Sequence, residues 1–377
     1  MEPTFTVTEE QQLLRSMARE LFEERGTSER VREVMLGADG LDHEAWRQLA
    51  ELGLTGLTIP EEYGGGGASH VELAIVFEEL GKRLLPLPLL STAVLGTEVV
   101  LAAGTDAQKK ELLSGVASGS AQLALAHLDT AGRLAADPGV TATRDGDGWQ
   151  LSGTAGYVVD GRTADVVVTA ATTDDGLALF VVPGDADGLT REDVEVLDLT
   201  RPMATLTYGG VRVGDDAVLC GGDAVPALHR AIAVGCGMLA NEQIGGADHV
   251  LRTTTAYARE RMQFGRAIGS FQAVKHRLAE MLVKVESARS AAYHAARAIA
   301  EGDTAEIAVA VPLAKSYCSE VYEHAAADGI QLHGGIGFTW EHDLHLYFKR
   351  AKATKLLLGS PAHQRRLLAD VLGFIAA

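Results

Sequence analysis

The sequence predicts an α+β multidomain protein: an N-terminal helical domain, a central antiparallel β domain and a C-terminal domain resembling a four-helix bundle. Apolar residues recur at three- and four-residue spacing near both ends of the chain, but at every second position in the middle. At roughly 150 residues per domain, the 377 residues suffice for two or three domains. We therefore expect domains at residues 1–120, 121–222 and 223–377.

The N-terminal domain is predicted from helical periodicity between Thr8 and Glu111. Thr8 is followed three residues later by Gln11, which is typical of a capping box at the start of a helix. A turn rich in proline and glycine, residues 59–67, interrupts the pattern because neither residue type sustains a helix.

The central domain is predicted from short β-branched or alternating runs separated by Asp-Gly turns at residues 145–148, 174–176 and 185–188. The C-terminal domain is predicted from a long apolar stripe that begins at Phe271 and ends at Val285. A stripe of that length packs against other long helices, so we expect the chain to assemble rather than remain a monomer.

Charge and composition restrict the class of function. Lysine and arginine number 33 against 51 acidic residues, a net charge of −18 that disfavours nucleic acids and anionic membrane surfaces as partners. The three cysteines and twelve histidines form no pattern typical of a disulfide framework or a metal site. No leader-like segment opens the sequence, and no uncharged apolar stretch reaches about 20 residues, so we expect a cytoplasmic protein without a metal.

Two segments are suited to ligand binding. The first, Arg259-Glu-Arg-Met-Gln-Phe-Gly-Arg-Ala-Ile-Gly-Ser-Phe-Gln272, combines cations, an amide and glycines, a composition suited to an anionic aromatic ligand. In the second, Gln331-Leu-His-Gly-Gly-Ile-Gly-Phe338, glycines allow the backbone to approach a ligand and offer N–H groups. The residues alone leave a cofactor role and a scaffold role equally open.

These segments also resemble landmarks of a known family. Residues 46–65, the run Phe77-Glu-Glu-Leu-Gly81 and the two segments above are similar, in order, to motifs of the acyl-CoA dehydrogenases. The resemblance extends over essentially the entire chain. It implies FAD as cofactor, an acyl-CoA thioester as substrate, an electron-transferring flavoprotein as acceptor, and a homotetramer or an α2β2 heterotetramer with a second family chain.

In that family the two segments reach the FAD of a neighbouring subunit at its pyrophosphate and adenosine end. The resemblance assigns this cofactor contact to the matching positions Arg261, Phe264, Gln272, Gln331, Gly334 and Gly335. A guanidinium pairs well with a diphosphate, and glycine backbones can offer their N–H groups to it.

The flavin side departs from the family pattern. The family loop T-E-P-x-A-G-S-D corresponds here to the stretch from His127 to Leu134, in which only Ala131 and Gly132 match. The family's Trp-x-Thr near the flavin ring corresponds to Tyr157-Val-Val159, which retains an aromatic residue and lacks the hydroxyl. His127, Tyr157 and Val159 are therefore the residues expected on this side.

The catalytic base is also missing from its usual place. Removing the α-proton of a thioester requires a positioned carboxylate, and Leu358 stands where most members carry the glutamate. The second known position falls near Gly235, and Glu242 is the nearest acidic residue, about 10 Å further along a helix axis. Two roles stay open for Glu242: a base at a shifted position, or a structural ion-pair or capping residue.

Three functions remain. The chain could be the FAD-lending subunit of an α2β2 assembly, which the selective loss on the flavin side favours. It could be a self-sufficient dehydrogenase that uses Glu242, or a flavin monooxygenase or oxidase on the same fold. A fatty acyl group and a polycyclic or steroid side-chain acyl group are equally admissible in β-oxidation.

Overall fold

The computed structural model describes residues 8–133, 138–219 and 222–374. The chain divides into two compact units. The first comprises Met1–Arg32, Ser69–Leu85 and Cys236–Ala377, and the second comprises Glu33–Ala68 and Pro86–Gly235. The expected boundaries near residues 120 and 222 stay a prediction.

The secondary structure follows the predicted order of helices, sheet and helices. The helices are α1 (Glu9–Arg25), α2 (Ser28–Met35), α3 (His43–Glu51), α4 (His70–Gly81), α5 (Thr97–Ala103), α6 (Asp106–Ala117), α7 (Ala224–Glu260), α8 (Gln272–Glu301), α9 (Thr304–His333), α10 (Gly335–Phe338), α11 (Leu344–Leu356) and α12 (Pro361–Val371). The strands are β1 (Leu123–Ala126), β2 (Val140–Asp145), β3 (Gly148–Val159), β4 (Val166–Thr173), β5 (Gly176–Pro183), β6 (Leu189–Asp193), β7 (Met203–Gly214), β8 (Met262–Gln263) and β9 (Arg266–Ala267).

The first unit is a helical assembly. The capping box predicted at its start is confirmed: Thr8 accepts a hydrogen bond from the Gln11 backbone, and the Gln11 side chain accepts one from Thr8. Helix α1 packs on α4, α4 on α8, and α9 contacts α8, α11 and α12. Helices α4 and α7 cross closely, since a Cβ at Gly245 would lie 1.9 Å from the Glu78 carbonyl oxygen. Only glycine fits at that crossing.

The second unit is built on a seven-stranded sheet with the order β1-β4-β2-β3-β7-β6 and with β5 paired to β4. The expectation of a purely antiparallel sheet is wrong in one respect, because β4 runs parallel to both β1 and β2. Periodicity in the sequence predicts that a segment is a strand, but not which strand lies beside it in the sheet. The parallel pairings could not be predicted because they join strands that are not consecutive in the chain. The sheet is therefore mixed.

The sheet buries an apolar face that includes Val140, Leu151, Val167, Phe180 and Leu206. A π-helix, Leu89–Gly96, packs on β1, and all eight of its residues are buried. No helix among the described residues is long and apolar enough to cross a membrane.

Candidate cofactor-binding site

A short hairpin projects from the first unit at the cation-rich segment, residues 261–272, called the arm below. Strands β8 and β9 pair through a two-residue turn, in which Phe264 has φ +51° and Gly265 has φ +76°. Two left-handed residues in succession define a type I′ turn, which matches the twist of a hairpin. The turn leaves the Phe264 side chain 92% exposed, with its ring edge towards Phe271 at a centroid distance of 6.1 Å.

The polar side chains of the arm are available to a ligand. Arg261 and Gln272 are exposed, and neither side chain has a hydrogen-bond or ion-pair partner among the described residues. Gln272 begins α8, whose N-cap residue Phe271 makes no side-chain capping bond. An uncapped helix N-terminus carries free N–H groups and a partial positive charge, which favour an anion.

The second predicted segment lies at the end of α9 and continues to residue 343; residues 331–343 are called the glycine loop below. Gly334 has φ +66° and ψ −141°, a conformation largely restricted to glycine. A Cβ placed at Gly334 or at Gly335 would meet no atom within 4 Å, so both backbones face open space. Gln331 is exposed and its amide is unpaired within the described part of the chain.

A ring stack joins the arm and the glycine loop. The Tyr257 ring stacks on the His333 ring at 4.2 Å with an interplanar angle of 20°. Tyr257 lies one helical turn before Arg261, whose backbone N–H donates to the Tyr257 carbonyl at 2.8 Å, and His333 directly precedes Gly334. The structure thus brings the two segments together. Sequence reasoning missed Tyr257 and His333, for which the only signal is their position beside the motif residues.

The loop after β1 is closed on itself. The Asp129 carboxylate accepts hydrogen bonds from the backbone N–H groups of Ala131 and Arg133, each at 2.9 Å. The Gly132 N–H donates to the Asp129 carbonyl, and the Asp129 N–H donates to the Arg133 carbonyl. The Arg133 guanidinium also pairs with Asp129. These contacts use four backbone donors that a ligand-binding loop would offer; Leu134 lies outside the described residues.

The three residues expected on the flavin side all belong to the second unit, and two of them lie in or against this loop. His127 is 6% exposed, its Nδ1 lies 3.2 Å from the Leu125 carbonyl oxygen, and burial lowers its pKa to about 4. Tyr157 has φ +52°, and its ring lies 3.0 Å from the point where a Cβ of Gly132 would be. Val159 is buried at 5% exposure. Tyr157 therefore packs against the closed loop.

Glu242 lies in a buried ion pair in the first unit. Its Oε1 is 3.0 Å from Nε of Arg350, and the two side chains are 1% and 3% exposed. Burying a carboxylate among apolar residues is costly without a partner, and Arg350 is that partner. The geometry supplies a structural role for Glu242, while a role as base stays a prediction.

Leu358, which the family resemblance aligns with the usual position of the base, has an unusual backbone conformation. Its φ is +56°, and its side chain is 8% exposed. Its carbonyl accepts a hydrogen bond from the Gln364 amide at 2.9 Å. The buried Lys315 ammonium donates to the Thr354 carbonyl at 2.9 Å and so caps the end of α11 just before this turn.

Backbone strain coincides with the motif positions. Among the described residues, five non-glycine residues have φ in the left-handed region. Three of these are Tyr157, Phe264 and Leu358, each at a position that the family resemblance singles out. A left-handed side-chain residue costs of order 1–3 kcal/mol and persists where the surrounding structure dictates it.

No group of three or more metal-ligating side chains occurs in the described part of the chain. The neighbouring His342 and His345 contact other groups: His342 accepts from the Leu344 backbone, and His345 lies edge-on to Trp340.

Both helical portions of the chain match sequence models of one family. Residues 8–120 match the N-terminal domain of acyl-CoA dehydrogenase, and residues 225–373 match its C-terminal domain. The chain belongs to the acyl-CoA dehydrogenase family. Its helix–sheet–helix fold is the family fold, and FAD is the cofactor of this oxidoreductase family.

Known members of the acyl-CoA dehydrogenase family resemble the chain over nearly its full length. Acyl-CoA dehydrogenase IpdE2 of Mycobacterium tuberculosis is 38% identical over 97% of this chain and 98% of its own length. One partner in the ChsE4-ChsE5 complex from Mycobacterium tuberculosis superposes with a TM-score of 0.91 at 29% identity, over 100% of both chains. A chain of the Tcur3481-Tcur3483 steroid ACAD, solved as a variant, superposes with a TM-score of 0.87 at 34% identity. The match covers 98% of this chain and 99% of that one.

The two parts of the chain that are expected to contact FAD, one in each unit, fit the cofactor differently. The arm and the glycine loop present an unpaired guanidinium, two unpaired amides, the open backbone of Gly335 and an uncapped helix N-terminus, all suited to a diphosphate. The Gly334 N–H already donates to the Ile330 and Gln331 carbonyls. The loop at residues 127–133 presents no free N–H group at Asp129, Ala131, Gly132 or Arg133. The first part therefore offers more unpaired groups to FAD than the loop at residues 127–133 does.

Proposed function

We propose that this chain is the FAD-lending subunit of an α2β2 acyl-CoA dehydrogenase that oxidises an acyl-CoA thioester. Its arm and glycine loop bind the pyrophosphate and adenosine end of an FAD whose flavin-side loop and catalytic carboxylate belong to the other family chain. The observation that carries the proposal is the loop at residues 127–133, four of whose backbone N–H groups are bonded within the chain, set against the unpaired Arg261, Gln272 and Gln331 side chains and the open backbone of Gly335.

The hydrogen bonds of the π-helix also support the proposal that the second unit of this chain does not bind the flavin. Ser91 donates to the Asp160 carboxylate at 2.6 Å, Thr92 to the Leu123 carbonyl at 3.1 Å, and Thr97 to the Thr92 carbonyl at 2.8 Å. Both hydroxyls of the π-helix, and the hydroxyl of Thr97 just after it, therefore already have protein acceptors. Such a segment serves as packing in the second unit rather than as a source of ligand contacts.

In the assembled enzyme, FAD would accept the β-hydride of the acyl group, while a carboxylate of the other chain takes the α-proton. In this chain Arg261 would hold a phosphate charge, and Gln272 and Gln331 would hydrogen-bond polar groups. Gly335 would offer its N–H group, whereas the Gly334 N–H already donates to the Ile330 and Gln331 carbonyls. Phe264 covers an apolar surface of the ligand or of the other chain. An electron-transferring flavoprotein would then take up the electrons.

The substrate class proposed is a steroid side-chain acyl-CoA, with a fatty acyl-CoA as the alternative. The support is similarity at 34% identity to a chain of an enzyme described as a steroid ACAD. Turnover of both substrate types by the assembled enzyme decides between them.

The test is to purify the chain alone and co-expressed with an acyl-CoA dehydrogenase-family chain encoded beside it, and to measure FAD per chain by absorbance. We expect little FAD on the isolated chain and stoichiometric FAD on the complex. An isolated chain that carries one FAD and dehydrogenates acyl-CoA would contradict the proposal and favour the self-sufficient enzyme. A flavinated chain that consumes oxygen instead would favour an oxidase or monooxygenase.

Arg261→Ala should lower FAD affinity in the complex, because a diphosphate loses a charge-assisted partner worth about 1.5–3 kcal/mol. The expected loss is about 10- to 100-fold in the dissociation constant. Arg259→Ala is the matched control, since it removes an exposed cation two residues away and outside the motif. Equal affinity for the parent and Arg261→Ala would remove Arg261 from the site.

A further inference from the structure

In the His333 imidazole, one nitrogen is hydrogen-bonded and the other is buried without a hydrogen-bond partner among the described residues. Nδ1 lies 2.8 Å from the Gly329 carbonyl oxygen, which can only accept, so Nδ1 carries the proton. Burial lowers the pKa of His333, so the ring is neutral at pH 7 and Nε2 holds a lone pair. His333 is only 4% exposed, so Nε2 is shielded from water. This buried nitrogen has no hydrogen-bond partner among the described residues.

His342 has the complementary proton arrangement. Its Nδ1 accepts a hydrogen bond from the Leu344 backbone N–H at 3.2 Å, so Nδ1 carries no proton. Burial lowers the pKa of His342 as well, which leaves the single proton of the neutral ring on Nε2. The His342 ring lies 4.7 Å from the His333 ring, measured between centroids, and is inclined to it by 61°.

The two rings stand at the two ends of the glycine loop. His333 closes α9 and stacks on Tyr257 at the base of the arm, while His342 precedes the start of α11. A hydrogen bond between them would close the loop and fix Gly334 and Gly335 relative to Arg261. A buried unpaired acceptor is unfavourable, so a small shift of the loop that pairs it is favoured.

We propose that Nε2–H of His342 donates a hydrogen bond to Nε2 of His333 in the FAD-bound complex, and that this imidazole pair positions the glycine loop for the cofactor. The inference rests on the proposed function, since it assigns both histidines as positioning residues of the lending site. Neither imidazole contacts the cofactor. Their effect on FAD is exerted through the backbone of the loop.

The test is a double-mutant cycle on FAD affinity, measured by flavin fluorescence during dissociation from the complex. His333→Phe retains a ring to stack on Tyr257, and His342→Phe retains a ring of similar size. We expect each single substitution to weaken FAD binding about five-fold, the loss of one hydrogen bond. The double variant should also weaken it about five-fold, because both substitutions remove the same bond.

A double variant weakened by about 25-fold would show independent effects and overturn the inference. So would unchanged affinity in both single variants. His342 lies in the loop and is partly exposed, so His342→Phe decides the question even if His333→Phe fails to fold. His43→Phe is the control: it replaces an exposed histidine on α3, outside the site, and should bind FAD like the parent.

Arg261→Ala is measured in the same series. If it weakens FAD binding and the histidine variants do not, the inference alone fails. If neither Arg261→Ala nor the histidine variants change FAD affinity, or if no complex forms, the proposed function fails and this inference fails with it.

Discussion

Burial fixes the charge state of His127, where β1 leads into the closed loop. Its folded-state pKa is about 4, below the usual value of 6.5 because the charged form is desolvated. Between pH 6.5 and pH 4 the unfolded chain binds a proton that the folded chain excludes. Stability is therefore fully present above pH 6.5 and is lost as the pH falls, by about 3 kcal/mol for this shift.

We expect His127→Gln to reduce this acid sensitivity. Between pH 7 and pH 4.5, the urea midpoint of unfolding should fall further for the parent than for the variant. His43→Gln, at an exposed position on α3, should retain the parental slope. Identical pH slopes in the parent and His127→Gln would refute the assignment.

The Glu242–Arg350 ion pair allows its structural and catalytic roles to be separated. Glu242→Leu removes the carboxylate 3.0 Å from a buried guanidinium, and the expected loss of stability is about 3–5 kcal/mol. Glu242→Leu combined with Arg350→Met should recover most of that loss, since two apolar side chains replace two buried charges. Urea unfolding of the three proteins measures this.

The same position tests the base. In a lending subunit, Glu242→Gln should leave turnover of the complex within a few-fold of the parent, because the α-proton goes to the other chain. A collapse of turnover with intact FAD content would instead make Glu242 the base. The assay uses an artificial electron acceptor, so that the oxidation of acyl-CoA is followed directly.

The hairpin of the arm carries a residue that its turn does not favour. Type I′ turns prefer asparagine before glycine, and here Phe264 occupies that place with φ +51°. We expect Phe264→Asn to leave the melting temperature of the chain unchanged or slightly higher, while FAD retention by the complex falls. Leu36→Asn removes another exposed apolar side chain outside the arm and should change neither. FAD retention equal to that of the parent would contradict a binding role for Phe264.

Sequence periodicity predicted which segments are helices and which are strands, because that information is local. The capping box at Thr8 and the turn after Ile59 are of this kind. Neither the parallel pairing of β4 with β1 and β2 nor the contact between Glu242 and Arg350 could be predicted, since both join segments distant in the chain. The motif residues of the arm were recognisable by composition, whereas the Tyr257–His333 stack depends on how α7 and α9 meet.

The described surface of the first unit suggests association. On α8 the predicted apolar stripe is divided: Met281 and Val285 are buried within the unit, while Leu282 remains 50% exposed beside Val283 at 66%. Near the C-terminus Val371 and Phe374 are 52% and 79% exposed. Exposed apolar side chains clustered on helices are typical of subunit interfaces.

We therefore expect the purified chain, alone or in its complex, to be oligomeric. Light scattering coupled to size exclusion at micromolar concentration should report a mass above that of one 39.8 kDa chain. Replacing Leu282 and Val283 together by serine should shift the distribution towards smaller species. A parent protein that runs as a monomer would refute the expectation.

The closed loop at residues 127–133 has a consequence for the order of events during biosynthesis. In a site completed by its cofactor, the backbone donors lack partners until the cofactor arrives, so folding and loading are coupled. Here the Asp129 carboxylate supplies those partners from within the chain. If the chain is the FAD-lending subunit, we expect the sheet unit to fold without flavin, so that in flavin-starved cells the protein accumulates in soluble form before it joins the other chain.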